Sequence, residues 1–173
     1  FTGYFTPDKG FKIVRVPGEW ADQWGGVDGS IDNPKKKDDS GEGGDFKVPV
    51  AGYYRIDLNT NTNELKFTAL DEDPKEYSQM LVSGDFNGWK DDVQMTPCDT
   101  YDGARPHVWM YDISTTDGTG LKFLVDSSWN PNWGNSTFPF GWGVGNGPNI
   151  PVGAGDYRVI FNDITGYYHF YNK

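Results

Sequence analysis

An internal repeat constrains this chain more than any other feature. Residues 51–67 align with 154–170 at a constant offset of 103 without a gap, and seven of the seventeen positions are identical. Ala51-Gly52-x-Tyr54-Arg55-Ile56 stands against Ala154-Gly155-x-Tyr157-Arg158-Val159, then Asn59 against Asn162, Thr62 against Thr165 and Phe67 against Phe170. Upstream, Trp20-x-x-x-Trp24-Gly25 matches Trp129-x-x-x-Trp133-Gly134, and Gly10-Phe11-Lys12-Ile13 matches Gly120-Leu121-Lys122-Phe123, in the same order with an indel. Self-similarity kept in order over such a span marks one structural module present twice. The charged, proline-containing run from Leu70 to Glu76 separates the copies. The expected domains are therefore 1–70 and 78–173, with a linker over 71–77.

Within each copy the matched segment reads as a hairpin. Tyr157, Val159 and Phe161 alternate with Arg158 and Ile160, Asn162 to Gly166 form a turn, and Tyr168 and Phe170 return. The first copy repeats the pattern with Tyr54, Ile56, Leu58, Leu65 and Phe67. Further strands are predicted over 80–83, 108–113 and 121–125. With 23 glycines and 11 prolines, long helices are disfavoured, while 16% aromatic residues suit half-buried pleated surfaces. The expected fold is all-β, two tandem immunoglobulin-like β-sandwich modules. The first copy has no counterpart of Met80 to Trp89, so either residue 1 falls inside a domain, leaving that module incomplete at its N-terminus, or the module closes differently.

The formal net charge of −10 repels phosphates at long range, so nucleic acid is not an expected partner. A single cysteine, Cys98, excludes an intrachain disulfide and Cys-based zinc sites. Asp57, Asn59 and Asn61 alternate like the start of a calcium loop, but Thr62 and Thr68 occupy the positions that need Gly and Glu. His107 and His169 fall in predicted strands and read as structural. No metal or cofactor is expected. No apolar run approaches the roughly 20 residues that span a bilayer, so an export signal or lipid anchor would lie outside this sequence.

The chemistry concentrates in the second copy. Leu121, Phe123 and Val125 point one way along a strand, which turns Lys122 to the opposite, solvated face. Trp129 and Trp133 follow in the polar stretch from Asp126 to Gly134, whose Pro, Asn and Gly content indicates a loop. An indole face stacks on the C–H face of a pyranose and leaves the sugar's hydroxyls free for polar partners. Lysine supplies donors to those hydroxyls, and asparagine supplies both donor and acceptor.

Gly84-Asp85-Phe86-Asn87-Gly88-Trp89, then Met95, Trp109, Leu121-Lys122-Phe123-Leu124-Val125-Asp126-Ser127-Ser128-Trp129 and Asn149-Ile150 resemble the glycogen-binding modules of AMP-activated kinase β subunits and α-glucan branching enzymes. The resemblance implies that Trp89, Lys122, Trp129 and Asn149 hold the glucan. The tandem arrangement, the linker and the Ala-Gly-x-Tyr-Arg hairpin are similar to the SusE and SusF group of outer-membrane starch-binding lipoproteins of gut bacteria. That similarity implies a lipid-anchored protein at the bacterial cell surface, a polysaccharide or oligosaccharide ligand with an α-glucan favoured, and a glycan-uptake complex as a further partner. The chain departs from the first family in Trp133, Phe138, Phe140 and Trp142, which would widen the groove or suit a different glycan. Trp133 joins the candidate sugar-contacting residues. In the first copy Lys12 and Trp20 are present, Asp45 stands where Asn149 does, and the first tryptophan is missing.

Two other readings stay open. A small glycoside hydrolase needs two carboxyls flanking the scissile bond, and Asp85, Asp126 and Asp156 are available in number. Aromatic loops also dock proteins, so a protein-interaction module within an uptake complex is the third reading.

Overall fold

The computed structural model describes residues 1–16, 18–38, 41, 43–91, 93–98 and 107–173. These are all-β, their helical content confined to two three-residue 3-10 turns, and no helix is long and apolar enough to cross a membrane. They divide into two compact units, Phe1–Pro74 and Lys75–Lys173.

The first unit contains β1 (Thr2–Phe5), β2 (Ile13–Val14), β3 (Gln23–Gly26), β4 (Pro34–Lys36), β5 (Gly52–Asn59) and β6 (Glu64–Ala69). They form two antiparallel sheets, ordered β1-β5-β6 and β2-β3-β4. Period-two alternation sends Tyr54 and Ile56 of β5 to the same side, where Leu65 of β6, Trp24 of β3, Phe46 and Val48 close one core.

The second unit contains β7 (Leu81–Gly84), β8 (Thr96–Pro97), β9 (Val108–Thr115), β10 (Thr119–Leu124), β11 (Asn132–Gly134), β12 (Phe140–Trp142), β13 (Val144–Gly145), β14 (Ile150–Val152), β15 (Gly155–Asn162) and β16 (Tyr167–Asn172). One sheet is built around β10, with β7 on one edge and β11, then β14, sharing the other, and with β13 beyond β11. The second sheet runs β12-β16-β15-β9-β8. The chain changes sheets at one corner: Met95 bonds Met80 beside β7, and the next residue, Thr96, pairs with Met110 of β9. Between the sheets Val82, Leu121, Phe123, Ile150 and Val152 meet Trp109, Ile113, Val159, Phe161, Tyr168 and Phe170. Phe123 and Phe161 stack across the interface at 4.2 Å. Below them His107 Nδ1 and the indole of Trp109 each contact the buried Asp163 carboxylate at 2.7 Å, a satisfied polar cluster within the sandwich.

The repeat is visible atom by atom in the two hairpins. Asn59 Oδ1 accepts from the amides of Asn61 and Thr62 at 3.0 and 3.3 Å, and Asn162 Oδ1 accepts from those of Ile164 and Thr165 at 3.1 and 2.9 Å. The threonine hydroxyl then caps the returning strand, Thr62 at Glu64 and Thr165 at Tyr167. Each turn closes on a left-handed residue, Asn63 (φ 59°) in one and Gly166 (φ 73°) in the other, the two residue types that tolerate it best. The Asn59 side chain therefore serves a turn, while Asp57 accepts from Arg55 on its own strand.

A second repeated detail prepares the ground for the site. Ile13 faces Trp24 across β2 and β3, and Phe123 faces Trp133 across β10 and β11. The glycine after each tryptophan is fixed by close backbone approach: a Cβ at Gly25 would lie 2.4 Å from the Gly44 carbonyl, and one at Gly134 would lie 2.1 Å from the Pro148 carbonyl.

Candidate functional site

The Gly84–Trp89 motif folds as a self-bonded turn at the end of β7. Asp85–Asn87 form a 3-10 turn, Asn87 Oδ1 accepts from the Gly84 amide at 3.0 Å, and the Trp89 amide donates to the Gly84 carbonyl at 2.8 Å. The Asp85 carboxylate takes the indole N–H of Trp89 on one oxygen and the backbone N–H of Gly120 on the other, both at 2.7 Å. These two donors, the Gly120 amide first, hold the Asp85 carboxyl below the usual carboxylate range. The clamp ties the indole to β10 and occupies its N–H, so Trp89 has its ring face left for a ligand.

Trp129 is presented by a different device. The Ser128 amide donates to Asp126 Oδ1 at 2.9 Å and the Trp129 amide to the Asp126 carbonyl at 3.2 Å, closing a short turn after β10. The buried Asn132 side chain then ties three segments together. Its amide group donates to the Trp129 carbonyl at 2.6 Å and to Asn146 Oδ1 at 2.8 Å, and its oxygen accepts from Lys122 Nζ at 3.1 Å. Lys122, directed outward as its strand position requires, is thus half-buried and already oriented; an ammonium has three donors, and this contact uses one.

The two indoles come within 6.1 Å of each other, centroid to centroid, with their planes inclined by 42°. Asn149 joins them at Gly120: a Cβ there would lie 3.2 Å from Trp89 Cζ2 and 3.3 Å from Asn149 Nδ2. Backbone conformation marks the same place. The described non-glycine residues with positive φ are Asp28, Asn63, Trp89 (61°), Trp129 (57°) and Asn146 (56°), and the last three lie here. A left-handed tryptophan costs about 1–2 kcal/mol against an extended one, and such strain persists where the surroundings over-determine it.

Of the five residues singled out from the sequence, the structure brings Trp89, Trp129, Lys122 and Asn149 to one face and leaves Trp133 elsewhere. Trp133 lies opposite Phe123, which points into the core, so Trp133 points there too; its ring is 5.4 Å from that of Phe161 and 5.8 Å from that of Tyr77. The neighbouring aromatics do not widen the groove either. Phe138 packs on Tyr157 and Phe170, while Phe140 and Trp142 belong to the other sheet. Sequence reasoning missed Asn132 and Asn146. Asn146 sits in Gly145-Asn146-Gly147, a legible turn, but nothing local shows that a strand asparagine fourteen residues earlier would reach it.

No family model and no curated protein matches this chain. Among solved structures the chain is similar to SusF from Bacteroides thetaiotaomicron, with a TM-score of 0.47 and 14% identity. That match takes in 79% of this chain and 30% of the length of SusF.

Proposed function

We propose that the second unit is a non-catalytic glycan-binding module that stacks sugars on Trp89 and Trp129 and holds their hydroxyls with Lys122 and Asn149. The observation that carries this reading is the pair of indoles, each fixed in a left-handed backbone and set 6.1 Å apart at 42° beside two polar side chains. Core tryptophans need no such strained backbone, whereas a preorganised aromatic surface lowers the ordering cost of binding. Two sugars lying on inclined rings cannot be coplanar, which suits the curved chain of an α-glucan better than the flat ribbon of a β-1,4-glucan. An α-glucan is therefore the favoured ligand, and the resemblance to starch-binding lipoproteins supports a setting at the bacterial outer membrane within a glycan-uptake complex.

The carboxyls available to a hydrolase are engaged otherwise. A general acid needs its pKa raised, yet Asp85 and Asp126 are held low, the latter by Ser128. Asp156 bonds Ser114 on the other sheet. Tryptophan fluorescence of the whole chain titrated with maltoheptaose and with cellohexaose tests the reading. A saturable change with maltoheptaose and a much weaker one with cellohexaose is expected; no response to either sugar would contradict it.

A further inference from the structure

Phe140 and Trp142, singled out in the sequence, are not absorbed by the Trp89–Trp129 site. On β12 they alternate with Gly141, where a Cβ would collide with Thr137 Oγ1 and the Tyr168 hydroxyl, so the strand lies close on its sheet and both rings are turned outward. Phe140 is 53% and Trp142 58% exposed. In register across β16, Phe140 faces His169 at 5.6 Å and Trp142 faces Tyr167 at 5.3 Å. Tyr171, 46% exposed, stacks on His169 at 4.0 Å. Five rings thus cover the outer face of one end of this sheet, on the side of the sandwich away from Trp89 and Trp129.

Three observations say what chemistry this face fits. Its five rings carry no charge: burial pushes His169 below its ordinary pKa, so the imidazole is neutral at neutral pH, and Arg158, in register with Tyr171, and Lys173 are both paired with Asp112. Its rings carry polar tips, the phenols of Tyr167 and Tyr171 and the imidazole nitrogens, at the edges of apolar surfaces. The sheet edge beside it is closed to an added peptide strand, because the outward carbonyls of Phe140 and Trp142 already accept from Thr137 Oγ1 and Asn135 Nδ2 at 3.1 and 2.7 Å.

We infer that the Phe140–Trp142–Tyr167–His169–Tyr171 face is a second binding surface, taking a neutral polysaccharide chain through ring stacking alone. It has no buried polar clamp like Asn132, so each contact is weak, and it acts on long chains that also engage elsewhere on the molecule, where the second contact is effectively intramolecular. Short oligosaccharides gain nothing from it.

Affinity electrophoresis of the whole chain through gels with amylopectin, with xyloglucan and without polysaccharide tests this, comparing wild type, Trp142→Ala and Tyr171→Ala. Each substitution is expected to weaken retardation by roughly threefold to tenfold, the span of one aromatic contact, while the maltoheptaose titration stays unchanged. If maltoheptaose gives no response but Trp142→Ala still relieves retardation, the Trp89–Trp129 reading fails and this one stands. Wild type running unretarded in all gels overturns the inference, as does equal mobility of wild type and both variants. A change confined to sedimentation, with retardation unaltered, also overturns it and makes the face an interface between copies.

Discussion

Gly10, Lys12, Trp20, Gln23 and Asp45 of the first unit occupy the places that Gly120, Lys122, Trp129, Asn132 and Asn149 occupy in the second. A Cβ at Gly10 would meet the Asp45 side chain at 2.8 Å, as one at Gly120 would meet Asn149. Gln23 Nε2 donates to the Trp20 carbonyl at 2.7 Å, as Asn132 Nδ2 donates to that of Trp129 at 2.6 Å. Phe11 bridges Phe46 as Leu121 pairs with Ile150. The furnishing differs. Among the described residues the first unit has no counterpart of β7 or of the Asp85–Trp89 turn, so Trp20, 60% exposed, has no second indole beside it, and Asp45 brings a carboxylate where Asn149 offers an amide. One sheet corner can therefore be kept for its packing while the paired-indole surface is supplied from outside it, by a turn at the end of a neighbouring strand.

If that contrast is right, the inner tryptophan of each pair serves stability, and of the two outer ones only Trp129, with Trp89 beside it, serves binding. Trp24→Ala should cost about 3 kcal/mol or more of unfolding free energy in urea melts, the usual loss for a core indole, and Trp133→Ala, whose ring is half-buried against the core, about 2 kcal/mol or more. A loss under about 1 kcal/mol for either would break the assignment. Trp129→Gly, which removes both the ring and the left-handed penalty, should weaken maltoheptaose binding by roughly 30-fold or more, the scale of a binding hot spot, while leaving the melting midpoint level or higher. A midpoint falling as far as that of Trp133→Ala would make Trp129 a packing residue. Trp20→Ala should leave maltoheptaose affinity unchanged, sharpening the distinction between units.

Smaller effects probe the clamp that only the second unit has. Asp85→Asn loses the charged acceptor shared by Trp89 and Gly120, and roughly threefold to tenfold weaker binding is expected, with Trp89 emission altered. Because the Asp85 pKa is lowered in the folded protein, its contribution is complete above the ordinary carboxylate value near 4 and is lost only as pH falls through the lower folded value. Affinity should therefore be flat from about pH 5 to 7 in wild type and fall only in stronger acid. Gly120→Ala, which asks the Asp85, Trp89 and Asn149 side chains to give a few tenths of an ångström, should cost about twofold to threefold. Both are read by titration calorimetry.

Much of this was legible because the repeat carries it. Tyr54, Ile56, Tyr157, Val159 and the two Asn-Thr turns follow from alternation and turn chemistry, which act over a few residues. The order of Gly-Asp-Phe-Asn-Gly-Trp, Lys122, Trp129 and Asn149 pointed to residues of one face, where Trp89 and Asn149 meet at Gly120 and Trp129 lies beside Trp89. What was not legible depends on strand register and on side chains meeting over distance. Trp133 looks like Trp129 in a polar stretch, and only its pairing with Phe123 turns it inward. Phe138 and Phe140 differ by two residues yet do not share a face, because the chain enters β12 between them. Asn132 becomes a hub only when Lys122, Trp129 and Asn146 are brought around it.

The most direct test of the central claim is calorimetric titration of maltoheptaose into wild type, Trp20→Ala and Trp129→Ala forms of the whole chain. Saturable heat in the first two and none in Trp129→Ala is the expected result. Equal heats in wild type and Trp129→Ala, or loss of binding in Trp20→Ala alone, would contradict a glycan site built on Trp89 and Trp129.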